Sequence, residues 1–368
     1  MTPAFTGTDV AARLDRLRAR MAQTGTDLLA LAPGAHMRWL LGFAPHPDER
    51  LCLLLVGRQT AGFVMPALNA TDARQHSDLA FWEWADAEGP DQALAAALGA
   101  IAPAPARLAL DETMRADHTL LLLDALPDAA RVLAAGDIGM LRQIKDATEL
   151  DALAENARIA DQAQAAVRAA LRPGVTEAEI AQVARDAFAA QGARCEFAII
   201  AFGPNSAFPH HSSGQRRLDH GDAVLIDIGG RKGTHVSDIT RMAAFGAAPE
   251  GYGAVHAVVD AAVAAALAAI RPGVPAHVVD DAARGVITDA GYGAFFTHRT
   301  GHGLGTEVHE PPYMTSANQA LLEEGMVFTV EPGIYLPGRF GIRLEEVAVV
   351  TADGARILSG LSRDLVVV

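Results

Sequence analysis

Residues 165–175 read AAVRAALRPGV, and 99 residues later, residues 264–274 read AAALAAIRPGV. An alanine-rich helix, an Arg-Pro-Gly turn and a second helical pattern therefore occur twice, and a chain that repeats such a unit folds into two related halves. In the first copy Thr176 and Glu179 match the capping box that opens a helix. In the second copy Pro275 is expected to begin the helix, at a position that needs no amide proton. Strand-like sequence follows each unit, at 197–202 and 223–228 in the first half and at 327–330 and 342–350 in the second. The expectation is a duplicated α+β domain around a central antiparallel sheet, with a binding cleft between its halves.

The preceding 135 or so residues have a different pattern, and 368 residues suit two domains, each with its own core. Val10, Leu14, Leu17 and Met21 share a helical face, and 27–31, 51–56 and 61–65 read as strands, so an α/β domain without a chemical motif is expected there. The segment from His46 to Arg50 reads as a polar loop. The boundary falls near 135–145, giving domains 1–138 and 139–368, with Thr148 opening a long helix and Asp151 in the capping position.

Half the residues are apolar and a fifth are charged, which excludes disordered, collagenous and coiled-coil classes. Forty-four acidic residues against thirty Lys and Arg leave a net charge of −14, which argues against a nucleic-acid partner. Cys52 and Cys195 sit among apolar neighbours and read as buried thiols. The opening Met1-Thr2-Pro3-Ala4-Phe5 has no basic stretch followed by an apolar one, and charge interrupts the long alanine-rich runs. A cytoplasmic location with no membrane association is expected.

The chemistry lies in acidic residues placed against apolar sequence. Asp227 closes the run Ala223-Val224-Leu225-Ile226, a costly place for a carboxylate unless something neutralises it. Gly229 and Gly230 would permit a turn that brings Asp238, eleven residues on, back beside it. In the second half Glu331 follows 327–330 and precedes Pro332-Gly333, and Glu345 comes fourteen residues later. Alternation puts Arg343, Glu345 and Val347 on one strand face and Glu346 on the other, which selects Glu345. Between these hairpins, three glycines surround His302 and would let backbone approach an ion closely. Taken singly, an Asp at a strand end is a turn cap and a histidine beside glycine is structural. Four carboxylates and one imidazole in matched halves carry a charge of about −4, which two divalent cations balance. Such sites act as Lewis acids and generate hydroxide from a bridging water, and oxygen-rich ligation favours manganese, with cobalt or zinc as substitutes.

At these residues the chain resembles the family of aminopeptidase P, prolidase, methionine aminopeptidase and creatinase, known for the pita-bread fold. The likeness rests on NSAFPHH (205–211), HGDAVLIDIGGRKGTHVSDITR (220–241), TGHGLGTEVHEP (300–311), VEPGIY (330–335) and GIRLEE (341–346). Leu141-Arg142-Gln143-Ile144-Lys145 looks like the entry to the family's catalytic domain, and Trp39-Leu40-Leu41-Gly42-Phe43 like part of a creatinase-like amino-terminal domain. Together they favour the prolidase and aminopeptidase P branch.

The resemblance implies that Asp227, Asp238, His302, Glu331 and Glu345 ligate two divalent ions. It implies that His309 steadies the scissile peptide and the tetrahedral intermediate, and that Glu331 relays a proton to the leaving nitrogen. His210 and His298 match substrate-contacting histidines, His210 within the catalytic group, and Arg343 matches an arginine near the bridging carboxylate. The implied reaction is metal-dependent hydrolysis of a short proline-containing peptide or dipeptide at an Xaa-Pro bond, in a homodimer. Lys232, Thr234 and His235 stand where relatives often carry tyrosines, and Met242 stands where threonine is usual, so substrate choice depends on them. Hydrolysis of a non-peptide amide or small osmolyte is the alternative on this fold. Metal-free enzymes and non-catalytic binding proteins of this fold typically lose ligands that are all present here.

Overall fold

The computed structural model describes residues 7–368. The opening segment 1–6, on which the reading of the amino terminus rests, lies outside the described residues. The chain divides into two units, the first ending at Arg142 and the second spanning Gln143–Val368.

The first unit contains α1 (Gly7–Thr24), β1 (Leu28–Leu31), α2 (Ala35–Leu41), β2 (Leu53–Gly57), β3 (Ala61–Pro66), α3 (Ala67–Ala73), β4 (Ala80–Trp84), α4 (Asp91–Ile101), β5 (Arg107–Leu110), α5 (Ala116–Ala125) and β6 (Ala130–Leu133), and α6 (Ile138–Gln143) closes it. Its sheet has the order β4-β3-β2-β1-β5-β6 and mixes parallel and antiparallel pairs. β1 is apolar throughout because both faces are covered. Leu29 and Leu31 pack with Leu14, Leu17 and Met21 of α1, while Leu28 and Ala30 pack with Leu94, Ala97 and Leu98 of α4. The division falls four residues beyond the expected boundary, and Leu141 of α6 packs against the core shared with α1 and β1.

The second unit contains two helix pairs, α7 (Ala147–Ala170) with α8 (Glu177–Ala190), and α9 (Tyr252–Ala269) with α10 (His277–Asp289). The intervening Arg-Pro-Gly turns are docked alike. Gly174 and Gly273 adopt φ of +76° and +81°, a region that glycine enters without steric cost. The Gly174 amide donates to the Leu218 carbonyl at 2.9 Å, and the Gly273 amide to that of Leu322 at 2.8 Å. Leu218 and Leu322 return bonds to the carbonyls of Val175 and Val274.

Helix entry differs between the copies and from expectation. Thr176 and Glu179 form the capping box, but α7 is capped by Asp146 and Glu149, not by Thr148 and Asp151. Both pairs have the required spacing, and the extended backbone at Asp146 decides between them. Pro275 does not open α10. It lies two residues ahead of His277 and bridges to Leu321, as Thr176 bridges to Arg217 in the first copy.

The strands of the first half are β7 (Arg194–Phe202), β8 (Ala223–Lys232), β9 (His235–Val236) and β10 (Ile239–Ala244), ordered β10-β8-β7 with β9 on β8. The second half has β11 (Gly301–Gly303), β12 (Glu310–Met314), β13 (Val327–Val330), β14 (Gly333–Leu336), β15 (Phe340–Arg343), β16 (Glu346–Thr351) and β17 (Gly354–Ile357). Five of these run β12-β11-β13-β16-β17, and β14 pairs with β15 alone. The expected single central sheet is thus three antiparallel groups. Val224, Ile226 and Ile228 of β8 pack under α7 and α8, whereas Ala223 and Leu225 join the core beneath α9 and α10. That same core takes Phe328 and Val330 of β13 and Phe340 and Ile342 of β15. Among the described residues, α9 is the one helix long and apolar enough to cross a bilayer, and it buries Tyr252, Val255, Val259 and Val263 in this core.

Candidate metal centre

Asp227 sits within β8, not at its end, since the strand continues through both glycines to Lys232. The turn lies at Gly233, with φ of +70°. Gly229 and Gly230 serve close packing instead: a Cβ there would meet the Phe197 ring at 2.3 Å and the Phe188 ring at 2.4 Å. Asp238 occupies the gap between β9 and β10. In the second half the expected strand 342–350 is interrupted at Leu344 and Glu345. There the Glu345 amide leaves its own sheet and donates to the Thr240 carbonyl at 3.3 Å, joining β10 to the second half. Gly301 flanks His302 because a side chain would strike the Thr329 carbonyl oxygen, at 1.8 Å from an added Cβ. The glycines around His302 thus admit neighbouring backbone.

These elements bring ligand atoms of Asp227, Asp238 and Glu345 within 4.8 Å of one another. The His302 Nε2 lies 3.1 Å from Glu331 Oε1 and 3.7 Å from Asp238 Oδ2. Its Nδ1 is 3.2 Å from the Gly303 carbonyl, to which an Nδ1–H can donate, and its Nε2 faces the carboxylates. Thr240 Oγ1 donates to Glu345 Oε2 at 2.7 Å, Thr329 Oγ1 to Glu331 Oε1 at 2.9 Å, and Arg343 Nη2 to Asp227 Oδ2 at 2.5 Å. Among the described residues, Asp227 Oδ1 and Glu345 Oε1 are buried with no hydrogen-bond partner. Two orphaned anionic oxygens facing further carboxylates are what a site for divalent cations provides, and they would be costly in any other role.

The electrostatics agree. Burial, then the charges of Glu345 and Asp227, hold the Asp238 carboxyl well above its ordinary range. Burial, then Glu331 and Asp227, do the same to Glu345. Asp227 is also raised, by burial against the opposing pull of Arg343. Glu331 goes the other way: burial pushes it up, but the His302 hydrogen bond and nearby cations bring it down to about 2. Clustered carboxylates that raise one another favour a cationic occupant. The residues fit divalent cations.

Around this cluster, His298 Nε2 and Tyr335 Oη are 2.8 Å apart, and Arg343 Nη1 donates to the same hydroxyl at 2.8 Å. His309 stands edge-on to His302 with ring centroids 4.1 Å apart, and burial, then His302, lowers its imidazole to about 4. Burial, above all, also lowers His298. His210 is exposed and lies within electrostatic range of both His298 and His309.

Sequence reasoning missed Tyr335, Thr240 and Thr329. The available signal for Tyr335 was Gly341, which pairs opposite it across β14 and β15 and yields space to its ring. Of the four positions that depart from the family, Met242 is buried in the core with Leu225 and does not line the cluster. Lys232 bonds to Glu155 and Asn156, and His235 lies 3.4 Å from Glu149. Cys52 is buried, but Cys195 is only partly so, contrary to expectation. In the first unit His36, Asp111 and Glu112 also cluster, but protein donors occupy all four carboxylate oxygens.

Comparison with known proteins matches residues 151–352 to metallopeptidase family M24 and residues 13–144 to the creatinase/prolidase N-terminal domain. The chain is 38% identical to the probable dipeptidase PepE of Mycobacterium bovis, over 97% of this chain and 96% of that protein. It is 32% identical to the Xaa-Pro dipeptidase of Lactobacillus delbrueckii subsp. lactis, over 96% and 98%. The crystal structure of prolidase from Thermococcus sibiricus superposes with a TM-score of 0.93 at 32% identity, covering 99% of this chain and all of that one.

Proposed function

The chain belongs to metallopeptidase family M24 and carries a creatinase/prolidase amino-terminal domain, and from that premise we propose that it is an Xaa-Pro dipeptidase whose metal ligands are Asp227, Asp238, His302, Glu331 and Glu345. The carrying observation is the pair of buried, unpartnered oxygens on Asp227 and Glu345, facing two further carboxylates and His302. Two divalent ions held by these residues would supply Lewis acidity and activate a water for attack. The oxygen-rich donor set favours manganese, with cobalt or zinc as substitutes.

The protein's own groups account for the rest of the reaction. The leaving nitrogen of an Xaa-Pro bond belongs to a tertiary amide and must be protonated to depart. Glu331, held by Thr329 and beside His302, would take the proton released by the attacking water and pass it to that nitrogen. His309 supplies a hydrogen bond to the oxyanion that develops on the scissile carbonyl, with His210 within electrostatic range of it. His298 and Arg343, tied through the Tyr335 hydroxyl, orient the substrate.

The names of the relatives support a dipeptide substrate over a longer peptide. Two free cysteines fit the cytoplasm. A homodimer is part of the same reading. Manganese-loaded protein should hydrolyse Ala-Pro and Leu-Pro and release alanine from Ala-Pro-Ala at least about tenfold more slowly per active site. Absence of turnover on both dipeptides would sink the assignment, and equal rates would make the enzyme an aminopeptidase.

A further inference from the structure

One face of α7 carries three buried polar side chains, Glu149, Asn156 and Gln164, at helical spacing among apolar residues. Each meets the hairpin, β8 to β10, that bears the two aspartates. Glu149 Oε1 lies 3.4 Å from His235 Nε2. Asn156 takes the Lys232 amide at 2.8 Å and donates to the Lys232 carbonyl at 3.2 Å, holding the far end of the hairpin. Gln164, with no exposed surface, sends its Nε2 to two carbonyls at once, Ile226 at 2.9 Å and Ile239 at 3.0 Å. Ile226 immediately precedes Asp227, and Ile239 immediately follows Asp238. One amide group therefore grips β8 and β10 at the residues adjoining both carboxylates.

Ordinary core packing does not call for this. The internal repeat places Val255 and Val263 of α9 where α7 has Asn156 and Gln164, and both valines are buried in an apolar core. The helix position is thus satisfied by a hydrocarbon in one half and by a desolvated amide in the other, and burying an amide is favourable only where its hydrogen bonds are needed.

We propose that Gln164 is a positioning residue for the metal centre, setting the gap between Asp227 and Asp238 from behind the sheet. Groups hydrogen-bonded to metal ligands typically govern affinity by about ten- to a hundredfold, and Gln164 acts one step further out, on the carbonyls of the residues beside them. The proposal rests on the two-metal reading above, and its test separates the two.

The experiment titrates the full-length metal-free protein with manganese, following free ion by electron paramagnetic resonance, and records the exchange-coupled signal of the filled pair. In Gln164→Met, similar in length but without donors, one of the two ions should bind at least about tenfold more weakly while the other stays within about twofold, and the coupled signal should change. Gln164→Asn can reach at most one of the two carbonyls and should give a smaller shift of the same ion, and it serves if the methionine variant does not fold. Asn156→Leu, acting five residues from Asp227, should leave both affinities within about twofold. Unchanged affinities in both Gln164 variants, or an equal loss at both ions tracking a fall in metal-free melting temperature, would overturn the proposal. A parent protein that binds no manganese would instead overturn the two-metal reading.

Discussion

The two halves of the catalytic unit solve the same backbone problem and then diverge in side-chain chemistry. Their Arg-Pro-Gly turns share a positive-φ glycine and the same reciprocal pair of bonds to a leucine. Yet the first half presents aspartates from a long hairpin braced by polar groups on α7, and the second presents glutamates at breaks between short strands beneath an alanine- and valine-rich α9. The extra methylene of glutamate lets Glu345 reach the aspartates from a backbone that has left its own sheet. Duplication places the carboxylates, and local divergence decides what each is.

The sharpest way to break this comparison is to remove one carboxylate from each half. Asp238→Asn and Glu345→Gln should each lower kcat/KM on Ala-Pro by at least about a thousandfold, with manganese stoichiometry reduced in both. A variant that keeps most of its rate would show that its half is dispensable. A smaller, one-sided effect is expected from Tyr335→Phe, which frees His298 and Arg343 from their shared hydroxyl in the second half only. Its kcat/KM should fall about tenfold while two ions still bind, and a fall in ion count would reassign Tyr335 to holding the metals.

Stability tests address what the halves share. Gly174→Ala and Gly273→Ala should each cost about 1–2 kcal/mol, and the same within error, because both glycines have left-handed backbone in an identical setting. Unequal losses in urea unfolding would mean that the matched turns carry different loads. The smallest effect separates the helix entries: Thr176→Ala should cost about 1 kcal/mol through its capping box, whereas Pro275→Ala, with no capping role, should cost less in a thermal melt.

Much of this architecture is legible in the sequence because it repeats. The recurrence of RPGV exposes the two helix pairs, and acidic residues set against apolar runs point to Asp227 and Glu331. What stays hidden depends on breaks in regular geometry. Alternation along 342–350 selects Glu345 over Glu346, but the strand is interrupted there, and Glu346 instead meets the Arg241 and Arg363 guanidinium groups. Gly229 and Gly230 look like a turn because glycine is as useful under an aromatic ring as at a bend. Thr240 and Thr329 carry no local signal as hydroxyls, and for them and Tyr335 only the fold shows which carboxylate or guanidinium each one meets.

Helix α9 also has a history imposed by the order of synthesis. Part of its apolar face is covered by Phe328, Val330, Phe340 and Ile342, which lie roughly sixty to eighty residues further along the chain. At a translation speed of about 5–20 residues per second, the helix leaves the ribosome several seconds before those partners exist. Over that interval a nearly uncharged, alanine-rich segment is exposed to solvent and to anything that binds nascent hydrophobic chain. Synonymous changes that slow translation between α10 and β13 would lengthen that wait, so the yield of folded protein becomes a kinetic property of the message as well as of the amino-acid sequence.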